Sequence, residues 1–189
     1  PYLGARLTEQ YVEGVQSNGV LAVAKHFAFN NQETFRNTYA SVVDEKTRWE
    51  LYYPPFEAAV NANVSAFMCS YNRESNGSSA PQWSCENPRA LSHDLKGAMG
   101  FRGFVQSDWD ATHSTSVMQG LGQEMPMSVD NKATPDSSVP PYWFSSAALE
   151  VNASALAVRE AAQRILAAML RLHGSTNACT PPARATHRR

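Results

Sequence analysis

The sequence predicts an α/β fold in which parallel strands alternate with helices, built as part of a (β/α)8 TIM barrel with about four βα units. Three observations predict it. Short apolar runs alternate with amphipathic segments, strand before helix, which is the order of parallel strands joined by right-handed crossovers. The runs carry too little polar alternation for half-exposed strands and read as buried ones. Polar residues fall at their ends, at Lys25-His26, Tyr71-Asn72, Asp108-Trp109 and Glu124, and the C-terminal ends of barrel strands are where chemistry gathers.

Taken in order, residues 6–17 place Leu7, Tyr11, Val12 and Val15 at helical spacing, and Ser17-Asn18-Gly19 supplies a turn. Val20 to Phe29 reads as a buried strand. Asp44 to Asn63 reads as a helix capped by Asp44, with Trp49, Tyr52, Phe56, Ala59 and Val60 on one face and Pro54-Pro55 kinking or restarting it. Val64 to Ser70 is a second strand, and the Ser-, Asn- and Gly-rich stretch from Arg73 to Trp83 a surface loop. Asn87 to Met99 suits a helix with Asn87 as cap, Pro88 at its first position and Gly100 as terminator. Phe104 to Ser107 is the third strand. A short helix at 114–121 leads to a weak fourth strand, Leu121 to Met125, and a polar loop from Met127 to Tyr142. Ala147 to Leu172 has the spacing of one long amphipathic helix, and Ser175 to Arg189 reads as a disordered tail. No fixed-period repeat underlies the pattern.

The 189 residues, 43% hydrophobic and 10% aromatic, are enough for one cored domain. Sixteen basic and seventeen acidic side chains nearly cancel, which speaks against nucleic acid or an anionic membrane as partner and for a small uncharged ligand. No apolar run approaches the ~20 residues of a membrane span. The start, Pro1-Tyr2-Leu3-Gly4, lacks the regions of a secretion signal, and the missing initiator Met suggests a fragment. Cys69, Cys85 and Cys179 have no zinc-site spacing; Cys69 with Cys85 admits one bridge, and two free thiols fit equally well. Sequons at Asn63, Asn76 and Asn152 tilt the reading towards a secreted parent protein.

Five segments stand out in sequence: Lys25-His26-Phe27 followed by Asn31-Gln32-Glu33-Thr34 and Arg36; VVDEKTRWELYYPPF at 42–56; Met68-Cys69-Ser70-Tyr71-Asn72; Gly103-Phe104-Val105 with Ser107-Asp108-Trp109; and Glu124-Met125-Pro126. In this order and spacing the chain resembles family 3 glycoside hydrolases of the β-glucosidase type, over residues 1–174 and the C-terminal half of their catalytic barrel. The resemblance implies retaining hydrolysis of a terminal β-glucoside or oligosaccharide. One carboxylate attacks the anomeric carbon and a second carboxyl group, about 5 Å away, protonates the leaving oxygen.

Asp108 falls in the nucleophile's place. Lys25 and His26 would donate to sugar hydroxyls, with Lys25 favouring an ionised nucleophile; Tyr71 would hydrogen-bond Asp108, Trp109 would stack on a sugar face, and Met68 would line the pocket. Outside this context a Ser-Asp pair is more often a helix cap, a Lys-His pair surface polarity, and Tyr or Trp ordinary core. Glu33 and Arg36 are expected to pair or brace the loop, and Glu124 fits either role. The chemistry needs no metal or organic cofactor.

The family's hexosaminidase branch carries a catalytic His after KHF, where this chain reads Ala28-Phe29-Asn30-Asn31. The implied acid/base Glu therefore comes from a second domain beyond this chain. Gly122-Gln123 also replaces the usual Asp-Met. A half barrel has open sheet edges that invite self-association. The competing reading is an inactive fragment or carbohydrate-binding remnant. An unrelated α/β binding domain would leave Lys25-His26 and Asp108 as coincidence.

Overall fold

Three short strands, β1 (Val23–Phe27), β3 (Ala66–Cys69) and β6 (Phe104–Ser107), form a parallel sheet in the order β1-β3-β6. The structure is a computed structural model that describes residues 1–125 and 143–173. The loop expected over Met127 to Tyr142, save its neighbours at 143 onward, and the expected tail at Ser175 to Arg189 lie outside the described residues. The other elements, in chain order, are α1 (Tyr2–Gln16), β2 (Ala40–Val42), α2 (Glu45–Thr47), α3 (Pro54–Asn61), β4 (Arg73–Ser75), β5 (Gln82–Trp83), α4 (Ser146–Asn152) and α5 (Ala155–His173). Arg48–Tyr52 and Arg89–Ala98 are wound as π-helix.

The two faces of the parallel sheet differ. Phe67 and Val105 are fully buried in the main core, with Phe27, Tyr53, Leu91, Leu95 and Phe101. Phe27 stacks on Tyr53 at 5.4 Å and meets Phe56 and Phe67 edge-on at 5.1 and 5.6 Å, and Phe67 meets Phe101 at 4.8 Å. Their alternates in the strands, Lys25, Met68 and Gln106, are register partners, and Gln106 bridges in parallel to Gln123. None of these four is buried. Strand periodicity therefore separates an apolar layer under the helices from a polar row on the opposite face. At the strands' N-terminal ends, Ala168 of α5 packs on Ala66 and Phe104 with Leu21 and Ile165. Gly103 permits the close start of β6, since a Cβ there would lie 2.1 Å from Ser65 O.

Several elements form as their local chemistry dictates. Asp44 caps α2 by accepting Thr47 N–H at 3.0 Å. Pro54 opens α3, where its missing N–H has no helical partner to lose. Asn87 Oδ1 accepts from Arg89 N at 3.0 Å and heads the helix that follows.

Four expectations change. The fourth strand is reduced to the Gln106–Gln123 bridge, supported by Gly122 N and Gln123 N donating to Val105 O at 2.8 and 3.0 Å. The helix expected over Asp44 to Asn63 contains a π segment, in which Tyr53 N donates to Arg48 O at 2.9 Å, before Pro54 restarts it. The single long helix at the C-terminal side is two, because Ser154 caps α5 by accepting from Ala157 N at 3.2 Å. The stretch Arg73 to Trp83 is not a surface loop throughout. β4 pairs in parallel with β2 and antiparallel with β5, and only the tip at 76–81 has loop character. Cys69 and Cys85 form a disulfide that ties this hairpin to the end of β3.

The hairpin is anchored inward by Glu74, which is buried with Arg48, Tyr53 and Asp94. Arg48 Nη1 donates to Tyr53 Oη at 2.6 Å and lies 3.3 and 3.4 Å from Glu74 Oε2 and Asp94 Oδ2, while Tyr53 Oη donates to Asp94 Oδ2 at 3.0 Å. Two carboxylates share one buried guanidinium. Asp94 has further company in His93 Nδ1 at 2.8 Å and Arg89 Nε at 3.8 Å. Burial pushes the Glu74 carboxyl up to about 7, against the opposing pull of Arg48.

The folded chain thus holds the Glu74 proton more tightly than the unfolded chain. Its stabilising contribution is complete below pH 4.5, the group's ordinary value, and is lost as pH rises to about 7. The unfolding free energy from urea titration should fall between pH 4.5 and 7 by an amount on the order of 1–3 kcal/mol, and Glu74→Gln, which keeps a neutral hydrogen-bonding side chain, should flatten that dependence. Equal slopes in the two proteins would place the titration elsewhere.

Candidate active site

Asp108 follows the last residue of β6, and the side chains around it come from the ends of the neighbouring strands. Ser107 N donates to Gln123 O at 2.9 Å, and Met125 N donates to Ser107 Oγ at 2.8 Å, fixing the strand end on its outer side. On the inner side, Ser70 Oγ and Asn72 Nδ2 both donate to Ala28 O, at 3.0 and 3.2 Å. These bonds lock the end of β1 to the end of β3. The peptide bonds Lys25-His26 and Phe27-Ala28 are both cis.

The Asp108 carboxylate is buried and held from three directions. His26 Nε2 lies 2.8 Å from Oδ2, Trp109 N donates to Oδ1 at 2.7 Å, and the Tyr71 hydroxyl donates to the same carboxylate. Burial lowers the His26 pKa, and Lys25 adds to that effect while Asp108 opposes it. The ring is therefore neutral at neutral pH and donates its Nε2 proton to Asp108. The Tyr71 hydroxyl is pushed up to about 12, first by burial and then by the Asp108 carboxylate that accepts its proton.

The candidate residues fall into two groups. His26, Tyr71, Asp108 and the Trp109 amide converge, whereas Lys25 and Met68 sit side by side in the polar row next to them. Trp109 is 49% exposed. Lys25 and His26 also border a cleft of about 700 Å3 lined by Phe29, Asn30, Asn31 and Tyr52. Glu33 pairs with Arg36 at 2.6 Å, as expected. What the sequence did not reveal is that the Arg36 guanidinium lies 4.1 Å above the Tyr71 ring, a contact that braces the side chain next to Asp108.

Glu124 serves structure. Its oxygens accept Trp143 N at 3.1 Å and Phe144 N at 2.8 Å, joining the chain on either side of residues 126–142. Burial raises its pKa, and these two amides oppose the rise. Among the described residues no group of three His, Cys, Asp or Glu side chains could hold a metal ion, and no helix is long and apolar enough to cross a membrane.

A buried carboxylate gripped by donors lies at the C-terminal ends of parallel strands, where α/β folds place their sites. The chain belongs to glycosyl hydrolase family 3: the model of that family's N-terminal domain matches residues 1–166. Beta-glucosidase cel3A of Pyricularia oryzae is 49% identical over 127 residues, which are 67% of this chain and 17% of that protein. The crystal structure of beta-D-glucoside glucohydrolase from Trichoderma reesei matches with a TM-score of 0.80 and 36% identity, covering 94% of this chain and 24% of the other. DesR, a β-glucosidase from Streptomyces venezuelae in complex with D-glucose, matches with a TM-score of 0.77 and 34% identity, over 91% and 22% of the two chains. The chain thus spans about a fifth of the length of these relatives. Its parallel strands alternating with helices are those of the family's barrel-like domain.

Spectrophotometric titration should find the Tyr71 phenol near 12. In Asp108→Asn the midpoint should move down towards 10 without reaching it, because burial, the first cause, is unchanged. A midpoint unmoved by the substitution would mean that Tyr71 does not donate to Asp108.

Proposed function

We propose that the parent enzyme hydrolyses terminal β-D-glucosidic bonds with retention and that Asp108 is its nucleophile. The observation that carries this reading is the Asp108 carboxylate, gripped by His26, Tyr71 and the Trp109 amide at the polar ends of the parallel strands. The glucose complex of the Streptomyces relative supports glucose as the sugar bound.

In the first step a carboxylate oxygen of Asp108 bonds to the anomeric carbon as the bond to the leaving oxygen breaks, and a carboxylic acid gives that oxygen a proton. In the second, the same group, now a carboxylate, takes a proton from water, whose oxygen bonds to the anomeric carbon as the bond to Asp108 breaks, which frees Asp108 and β-glucose. Donors fixed before reaction lose little by reorganisation, so His26 and Tyr71 hold the carboxylate aimed and leave the transition state to redistribute its charge. Lys25 and His26 also face the sugar hydroxyls, Trp109 offers its exposed ring to a sugar face, and Met68 lines the floor between them.

The acid/base residue is assigned to a part of the parent beyond these residues, since Glu124 spends both oxygens on backbone amides. The same fact favours a second reading, in which this stretch by itself binds a sugar without turning it over. The edge of β1, unpaired among the described residues, and the exposed apolar side chains of α1, Leu7 and Tyr11, flank a groove of about 540 Å3 where further strands of the parent barrel would pack. The disulfide fits passage through an oxidising, secretory compartment.

Incubation with a 2-fluoro glucoside bearing a dinitrophenyl leaving group, which needs no proton donor, tests the assignment by intact mass. The chain should gain one fluoroglucosyl group on Asp108, and Asp108→Asn none; His26→Ala should be labelled about tenfold or more slowly, the loss of a charge-assisted hydrogen bond being worth ~1.5–3 kcal/mol. A folded chain that binds glucose without being labelled would favour the second reading.

A further inference from the structure

We propose that His113 is a positioning residue for Asp108, the anchor of a clasp that fastens the loop after the nucleophile to the disulfide-tied hairpin. The inference rests on the assignment of Asp108 as nucleophile and concerns how that carboxylate is kept aimed.

The loop from Asp108 to His113 begins with a tight turn. Ala111 N donates to Asp108 O at 3.2 Å, and Asp110 takes a left-handed backbone with φ 62°. The same loop supplies the Trp109 amide that orients Asp108 Oδ1. At its far end two contacts meet on His113. Its imidazole stacks on Trp83 with ring centroids 3.9 Å apart and planes 22° from parallel, and its backbone N–H donates to Glu86 Oε1 at 2.8 Å.

Trp83 and Glu86 flank the 85 position of the Cys69–Cys85 disulfide. Trp83 is itself steadied by Arg73, its partner across β4 and β5, whose guanidinium lies 5.2 Å from the ring and donates to Thr38 O at 2.6 Å. Cys69 is in turn the register partner of Ser107, the residue before Asp108. The path therefore closes on itself: from Asp108 along its loop to His113, across to Trp83 and Glu86, through the disulfide to β3, and across the sheet to Ser107. Every joint but one is covalent or part of the sheet ladder, and the exception is His113. Without that joint the loop is held at Asp108 and again only from Thr115, whose hydroxyl donates to Trp143 O at 2.8 Å, and the Trp109 amide between them loses its fixed direction.

Because reaction rate depends steeply on the placement of the attacking atom, a small loss of aim shows in rate before it shows in binding. Sugar affinity, which depends on Lys25 and His26, should survive the loss of the clasp.

The test uses the full chain, His113→Ala, which removes the ring, and His113→Phe, which keeps a ring on Trp83; Glu86→Ala provides an independent cut in the clasp. Melting curves establish that each is folded. Two quantities are read: amide hydrogen exchange of residues 109–113, and the fluoroglucosyl labelling of Asp108 as maximal rate and half-saturating concentration. His113→Ala should exchange these amides and lose maximal labelling rate by about tenfold each, with the half-saturating concentration changed less than about twofold, and His113→Phe should restore both. Glu86→Ala should behave like His113→Ala. The proposal is overturned if His113→Ala matches the wild type in both readings, or if His113→Phe fails to restore them. If no protein is labelled, the wild type included, the reading in which this stretch binds sugar without turning it over is favoured, and exchange alone then decides whether the clasp exists.

Discussion

A buried guanidinium with more negative than positive company governs how the parts of this chain meet. Arg48 draws together the π segment it belongs to, Glu74 of β4 and Asp94 of the helix Arg89–Ala98, with Tyr53 filling the gap between them. Removing water from such ions costs several kcal/mol each, which only close geometry and extra hydrogen bonds offset. The cluster therefore tolerates few arrangements, and helix, hairpin and sheet must arrive in one relation for it to form. Glu74 lies three residues beyond Tyr71, so the constraint reaches the site through the backbone of the hairpin. Asn72, fully buried and bonded to Ala28 O, passes it on to the end of β1.

The site then follows from parallelism. In a parallel sheet every strand points its C-terminal end the same way, so successive strands deliver one side chain each to a common place. Here β1 delivers His26, β3 delivers Tyr71 and β6 delivers Asp108 itself, and the three converge although they are far apart in the chain. An antiparallel arrangement would have put Tyr71 at the opposite end from the other two. The imidazole and the phenol, both donors, keep the carboxylate aimed.

Much of this was legible in the sequence because its causes are local. The Asp44 cap, the restart at Pro54, the Asn87 start signal and the apolar runs of three strands depend on neighbours within a few residues. The hairpin at Arg73 to Trp83 was not legible, since its Ser-, Asn- and Gly-rich tip dominates the composition while the burial of Glu74 depends on Arg48, 26 residues away. The π-helical windings shift spacing too little for apolar periodicity to register. The apolar spacing from Ala147 to Leu172 runs past Ser154 without a break, so it argued for one helix where the Ser154 cap divides two. In the site, motif resemblance singled out His26, Tyr71 and Asp108, but the Arg36–Tyr71 contact, the Glu124 bridge and the His113–Trp83 stack join distant residues that carry no joint signal.

The separation of the two faces of the parallel sheet also bears on how such a protein changes over generations. Phe67 and Val105 are committed to the core, and almost any replacement there disturbs several neighbours. Lys25, Met68, Gln106 and Gln123, one strand position away, share the opposite face and bear little of that burden. Substitutions in the row can therefore accumulate singly, each from a different strand, while the helical layer stays as it is. A lineage can change this open face without first becoming more stable, because its side chains and those that keep the chain folded occupy alternate places on the same strands.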